Sequence, residues 1–157
     1  MNFIEQIEIV NLLDDKKYLE EVSEWIWKEW SKEKGAKKED ILYRSKHSLG
    51  YDKIPQMYIA KYNEEVIGVV SIWRNDIMSR QDLYPWMSTL IVKPEYRNKG
   101  VGKKLQEKCI EECKRLKYEN IYLITHHDNY YEKTGWEFLD NAPEIDGKYT
   151  KIYVHKL

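Results

Sequence analysis

The stretch that most constrains this chain runs from Val92 to Leu105, VKPEYRNKGVGKKL. It joins two segments of different periodicity. Before it, Trp86–Val92 is a short apolar run closed by Lys93-Pro94, the pattern of a central strand. After it, Leu105, Cys109, Ile110, Cys113 and Leu116 recur at the 3.6-residue period of a helix, with Lys103, Glu107, Glu111 and Arg115 on the wet side. A helix starting at Val101 presents unpaired backbone N–H groups and the positive end of its dipole, and Gly100 and Gly102 let a ligand come close. Arg97, Lys99, Lys103 and Lys104 add positive charge at an end where the dipole disfavours it unless an anion is bound. The pattern predicts a strand–turn–helix unit that grips a phosphate or pyrophosphate.

Two nucleotide loops fail against it. A Walker A loop needs Gly at 97 and Ser or Thr at 104, where Arg97 and Lys104 stand. The dinucleotide fingerprint needs Gly at 105, and Leu105 occupies that place. What remains is R-x-x-G-x-G after a strand ending in V-x-P.

The rest of the chain supplies the frame. Ile7–Val10 alternates as a strand, and Asp14 or Asp15 offers an N-cap for a helix carrying Leu19, Val22, Ile26 and Trp30. A short helix is predicted from Lys37 to His47. Met57–Tyr62 and Val66–Trp73 read as an antiparallel hairpin across Asn63-Glu64-Glu65. Glu119–Thr125 returns as a strand, a short helix around Tyr130–Lys133 ends at Gly135, and Tyr149–His155 closes the sheet. No repeat or linker divides residues 1–157, so one domain is expected.

Composition excludes some partners. With 26 basic against 27 acidic residues, nothing points to nucleic acid. Met1–Leu13 has no signal-peptide layout and no apolar run reaches membrane-spanning length, so a soluble cytoplasmic protein without a membrane partner is expected. Cys109 and Cys113 lie on the apolar helical face and are read as buried thiols.

The R-x-x-G-x-G turn resembles the coenzyme A pyrophosphate loop of the GCN5-related N-acetyltransferases (GNAT), whose signature is Q/R-x-x-G-x-G/A. Tyr130-Tyr131-Glu-Lys-Thr-Gly135-Trp136 is similar to that family's second signature, Y-E-K-x-G-W/F, and follows about 30 residues downstream. The Asp82-Leu-Tyr-Pro-Trp86 approach to the strand resembles a bacterial small-molecule subgroup, so the likeness spans roughly Met57 to Phe138. It implies an α/β fold with a mixed, mostly antiparallel sheet of six to seven strands flanked by helices. It implies acetyl-CoA as co-substrate, no metal, and a primary amine of a small molecule as acceptor. Such a protein works as a monomer or homodimer.

By the same resemblance, backbone groups from Asn98, Lys99, Gly100, Val101, Gly102 and Lys103 hold the pyrophosphate and Arg97 braces the loop. Leu90, Ile91 and Val92 face the pantetheine arm and thioester. Tyr131 matches the family's general acid, with Tyr130 as the competing choice. The base is left open: Asp76 and Asp82 are candidates to accept a proton or anchor the ammonium, and Ser88 and Thr89 to position a water. Trp27 falls off the Leu19-Val22-Ile26-Trp30 stripe and is read as an acceptor contact, whereas Trp30 is assigned to packing. His126-His127 is read as a polar turn rather than a metal site. Two alternatives stand beside small-molecule transfer: a non-catalytic acetyl-CoA-binding sensor or interaction module, and a peptide N-terminal acetyltransferase.

Overall fold

Successive side chains of a strand point to opposite faces, so a strand apolar on both faces must be covered on both. In the computed structural model, which describes residues 1–157, the central strands meet that demand. Seven strands are present: β1 (Ile7–Asn11), β2 (Gln56–Tyr62), β3 (Glu65–Trp73), β4 (Trp86–Val92), β5 (Asn120–Thr125), β6 (Glu137–Pro143) and β7 (Tyr149–Lys156). They form one sheet in the order β1-β2-β3-β4-β5-β7-β6. Every neighbouring pair is antiparallel except β4 and β5.

Three helices cover the sheet: α1 (Leu19–Ile26), α2 (Lys38–Lys46) and α3 (Val101–Arg115). Along β2, Tyr58 and Ala60 turn to the face carrying Leu105, Cys109 and Cys113 of α3. Met57 and Ile59 turn the other way, onto Leu19, Val22 and Ile26 of α1 and Ile41 of α2. Both cysteines are free and buried. Burial pushes the Cys109 thiol well up and Cys113 up to about 12, so neither is a nucleophile at neutral pH. No helix is long and apolar enough to cross a membrane.

The mixed, mostly antiparallel sheet with flanking helices agrees with the sequence reading, with two local differences. Neither Asp14 nor Asp15 caps α1. The chain passes through short 3₁₀ turns at Leu12–Asp14 and Lys16–Tyr18, and Tyr18 precedes the helix without a side-chain cap. Asp15 pairs instead with Lys61 at 2.9 Å, and Asp14 accepts from the Tyr51 hydroxyl. The second difference is β6. It is an edge strand with only Ala142 buried, so it carries almost none of the alternation that marks a strand.

Candidate active site

The turn after β4 is built to leave amides free. Asn98 and Gly100 take left-handed φ values of 61° and 92°, and Gly100 occupies the N-cap of α3 without a side-chain cap. Alternation of this kind turns successive N–H groups into one concavity, a shape suited to anions. The first turn of α3 holds no acidic residue that would answer the dipole. Arg97 Nε donates to the Val92 carbonyl at 3.0 Å and so braces the turn against the end of β4.

Not all of the basic side chains stay free. Lys104 Nζ donates to the carbonyls of Ile4 and Ile7 at 3.1 and 2.7 Å, tying the start of the chain to α3. Lys99 lies over the rings of Phe3 and Tyr96. A Cβ at Gly102 would meet Val92 Cγ2 at 3.7 Å and the Tyr130 hydroxyl at 3.9 Å, both ordinary contacts. The protein's own packing therefore does not require glycine at 102.

Beside this turn the sheet opens. β4 and β5 pair only at Trp86 and Tyr122, where the Tyr122 N–H donates to Pro85 O at 3.0 Å, and then diverge. Across β3 the register of β4 also breaks. Val69 faces Ile91 and Ser71 faces Ser88, so Thr89 and Leu90 together oppose Val70. Thr89 sits at φ 53°, a conformation that strains a β-branched residue, and its hydroxyl is fixed to Ser71 Oγ at 2.6 Å. Such a bulge re-aims backbone groups away from the ladder. On its β5 side the carboxyl half of β4, with Leu90, Ile91 and Val92, thus borders an opening instead of a partner strand.

A cleft of about 900 Å³ lies against the bulge, reached from β4 by Met87, Ser88, Thr89 and Leu90. Tyr131 borders it from the 3₁₀ turn Tyr131–Thr134, edge-on to Trp136 with centroids 6.1 Å apart. Burial pushes the Tyr131 hydroxyl up to about 12, and the neighbouring Tyr130 adds to the rise. Asp76 lies in the same cleft and makes no ion pair. Burial raises its carboxyl to about 6, against the pull of the Ser88 hydroxyl and the Arg44 charge, with Glu144 pushing it further up.

Tyr130 is 52% exposed and overhangs Gly102, so the two tyrosines have separate positions: one above the turn, one on the cleft. Gln106 was not singled out from the sequence. Its Oε1 accepts from Trp136 Nε1 at 3.3 Å and Thr134 Oγ1 at 3.5 Å, fixing the Tyr131 turn to α3. The signal available was one polar residue beside the apolar stripe.

Two of the candidates for base or acceptor contact fall outside the cleft. Asp82 is exposed and forms a two-pronged pair with Arg80 at 3.0 and 2.9 Å, which holds its carboxyl below the ordinary range. Trp27 is half-buried, its Nε1 donating to the Ala36 carbonyl at 2.7 Å, while Trp30 is 44% exposed and lines the cleft. Trp27 is thus the packed ring and Trp30 the one that reaches the cleft, the reverse of what the helical stripe suggests. The reason is tertiary: the chain turns back after Ser31 and packs α2 beside α1, covering the flank where Trp27 lies. His126 and His127 follow β5 in a bend, with His126 4.0 Å from Glu144.

An opened parallel pair, a bulged strand and an amide-rich turn at a helix start together define the acetyltransferase fold. The model of the acetyltransferase (GNAT) family matches residues 19–136, most of the chain, so the protein belongs to that family. Among solved structures it is similar to a GNAT acetyltransferase of Staphylococcus aureus Mu50, at 23% identity, TM-score 0.72 and 96% and 99% coverage of the two chains. It is also similar to an aminoglycoside 6'-N-acetyltransferase complexed with coenzyme A, at 15% identity, TM-score 0.72 and 95% and 96% coverage. A third is a GNAT acetyltransferase of Elizabethkingia anophelis with acetyl-CoA bound, at 16% identity, TM-score 0.62 and 97% and 99% coverage. No curated protein matches the sequence.

Proposed function

We propose that this protein transfers the acetyl group of acetyl-CoA directly to a primary amine of a small molecule, without an acyl-enzyme. The observation that carries the reading is the cleft in which the bulge of β4, Tyr131 and Asp76 meet, together with the free amides of Asn98–Lys103 in the turn that follows the same strand. The solved structures holding coenzyme A or acetyl-CoA and the aminoglycoside enzyme among its structural neighbours support it.

The donor set fits a pyrophosphate: free backbone amides, a dipole end and no acid in the first turn. When bound, acetyl-CoA supplies an acyl carbon activated as a thioester. A backbone N–H of β4 beyond the bulge would hold the acyl oxygen and offset the charge that develops there. Asp76 takes a proton from the ammonium form of the acceptor, whose nitrogen then attacks the acyl carbon. As the carbon–sulfur bond breaks, Tyr131 donates a hydrogen bond to the departing sulfur, which takes up the second proton that the attacking nitrogen sheds as it becomes an amide. The test is thiol release from acetyl-CoA over a panel of small amines, with peptide N-termini alongside. Saturable acetyl-CoA binding with no turnover on any amine would leave a sensor module.

The environment of Asp76 makes the reaction pH-dependent. Its carboxyl, at about 6, is ionised above that pH and can then accept a proton. kcat/KM should fall as pH drops through about 6. Asp76→Asn should lower kcat/KM about a hundredfold and remove that acidic limb. Its effect on stability has the opposite sign. The folded carboxyl holds its proton up to about 6 whereas the unfolded one releases it near 3.8, so ionisation penalises folding above pH 6 and the penalty vanishes below about 4. Asp76→Asn should therefore stabilise the protein at pH 7.5 by about 1–3 kcal/mol in denaturant titrations.

A further inference from the structure

The helical wall of the cleft ends in an exposed tryptophan beside a carboxylate. Beyond α1 the helix widens into a π turn over Trp27–Ser31, a geometry that is rare and recurs at functional positions. Glu29 and Trp30 line the cleft from this turn, and neither side chain makes a hydrogen bond or ion pair within the protein. A large exposed ring on a cleft wall is unspent apolar surface, and an adjacent carboxylate makes its surroundings favourable to a cation.

The rest of the cleft has the same bias. Glu144 and Asp146 enter from the β6–β7 loop and Asp76 lies between the walls, against the two cations Lys34 and Arg44. Arg44 is engaged with the Trp73 ring, 4.5 Å from its centroid. A single ammonium held at Asp76 leaves Glu29 and Trp30, on a different element, unanswered. We propose that the acceptor carries a second cationic group, seated on the Trp30 ring against the Glu29 carboxylate while the reacting amine lies at Asp76. The substrate class is an aliphatic diamine or oligoamine. This inference rests on the acetyl-transfer reading.

The experiment compares a homologous series of α,ω-diaminoalkanes with amino alcohols and amino carboxylates of matched length, all as acceptors for acetyl-CoA. At the best length the diamine should exceed its amino alcohol about tenfold in kcat/KM, through KM. Trp30→Ala and Glu29→Gln should each bring that ratio to within about threefold. Because the ratio is taken on one preparation, a general loss of folded enzyme cancels. A ratio near one at every length overturns the inference, as does a ratio preserved in both variants. So does a preference for the amino carboxylates, drawn to Arg44 and Lys34. If acetyl-CoA binds and no amine in the series releases thiol, it is acetyl transfer to amines that fails, and the second-cation site with it.

Discussion

A Gly102→Leu protein should fold and lose acetyl-CoA binding by at least about a hundredfold, because the side chain would cover the amides that open the first turn of α3. The contrast with stability is the informative part. A Cβ at this position meets only ordinary contacts, and in a helix alanine is favoured over glycine by up to about 1 kcal/mol. Gly102→Ala should therefore melt no lower than the parent while binding at least about tenfold more weakly. Gly100 does not separate the two effects. Its φ of 92° strains any side chain by roughly 1–2 kcal/mol, so a substitution there damages the fold and the grip together. Isothermal titration with acetyl-CoA and thermal melts measure both quantities. Unchanged affinity in Gly102→Leu would show that the pyrophosphate lies elsewhere.

Tyr131→Phe should lower kcat by a factor on the order of 10²–10⁴ and leave acetyl-CoA affinity within about threefold. Burial holds the Tyr131 hydroxyl protonated throughout the neutral range, up to about 12, so the donor form is always present. A thiol has a pKa of about 8.5, below that of this phenol, so full transfer of the phenolic proton is uphill even to the complete thiolate. The hydroxyl serves as a hydrogen-bond donor that strengthens while the bond breaks. Tyr130→Phe should change kcat little, since that ring stands over Gly102 and not on the cleft. Single-turnover measurements separate the chemical step from product release. An undiminished rate in Tyr131→Phe would mean that the sulfur leaves unassisted.

How much of this could be read in advance follows from where the information lies. The β4–α3 unit was legible because its parts are local: an apolar run, a proline stop, two glycines and a 3.6-period stripe, all between Trp86 and Leu116. The hairpin and the closing strand were legible for the same reason, being strands with buried faces. The exchange of Trp27 and Trp30 was not, because a helical wheel knows its own axis and not that α2 returns to cover one flank. Asp76 and Asp82 are alike in sequence. A partner decides between them, since Arg80 claims Asp82 whereas Asp76 is left in the cleft. The bulge at Thr89 was equally invisible, for nothing in Met-Ser-Thr-Leu announces a left-handed threonine.

The single hydrogen-bonded step between β4 and β5 has a further consequence. On one side of it lie four strands and on the other three, and the sheet's own ladder does little to hold the two groups together. A ligand rich in amides, lying along the gap, would act as a keystone between them, and any molecule that binds the folded form alone adds RT ln(1 + [L]/Kd) to resistance to unfolding. The lifetime of this protein in a cell would then rise and fall with the supply of its own acetyl donor.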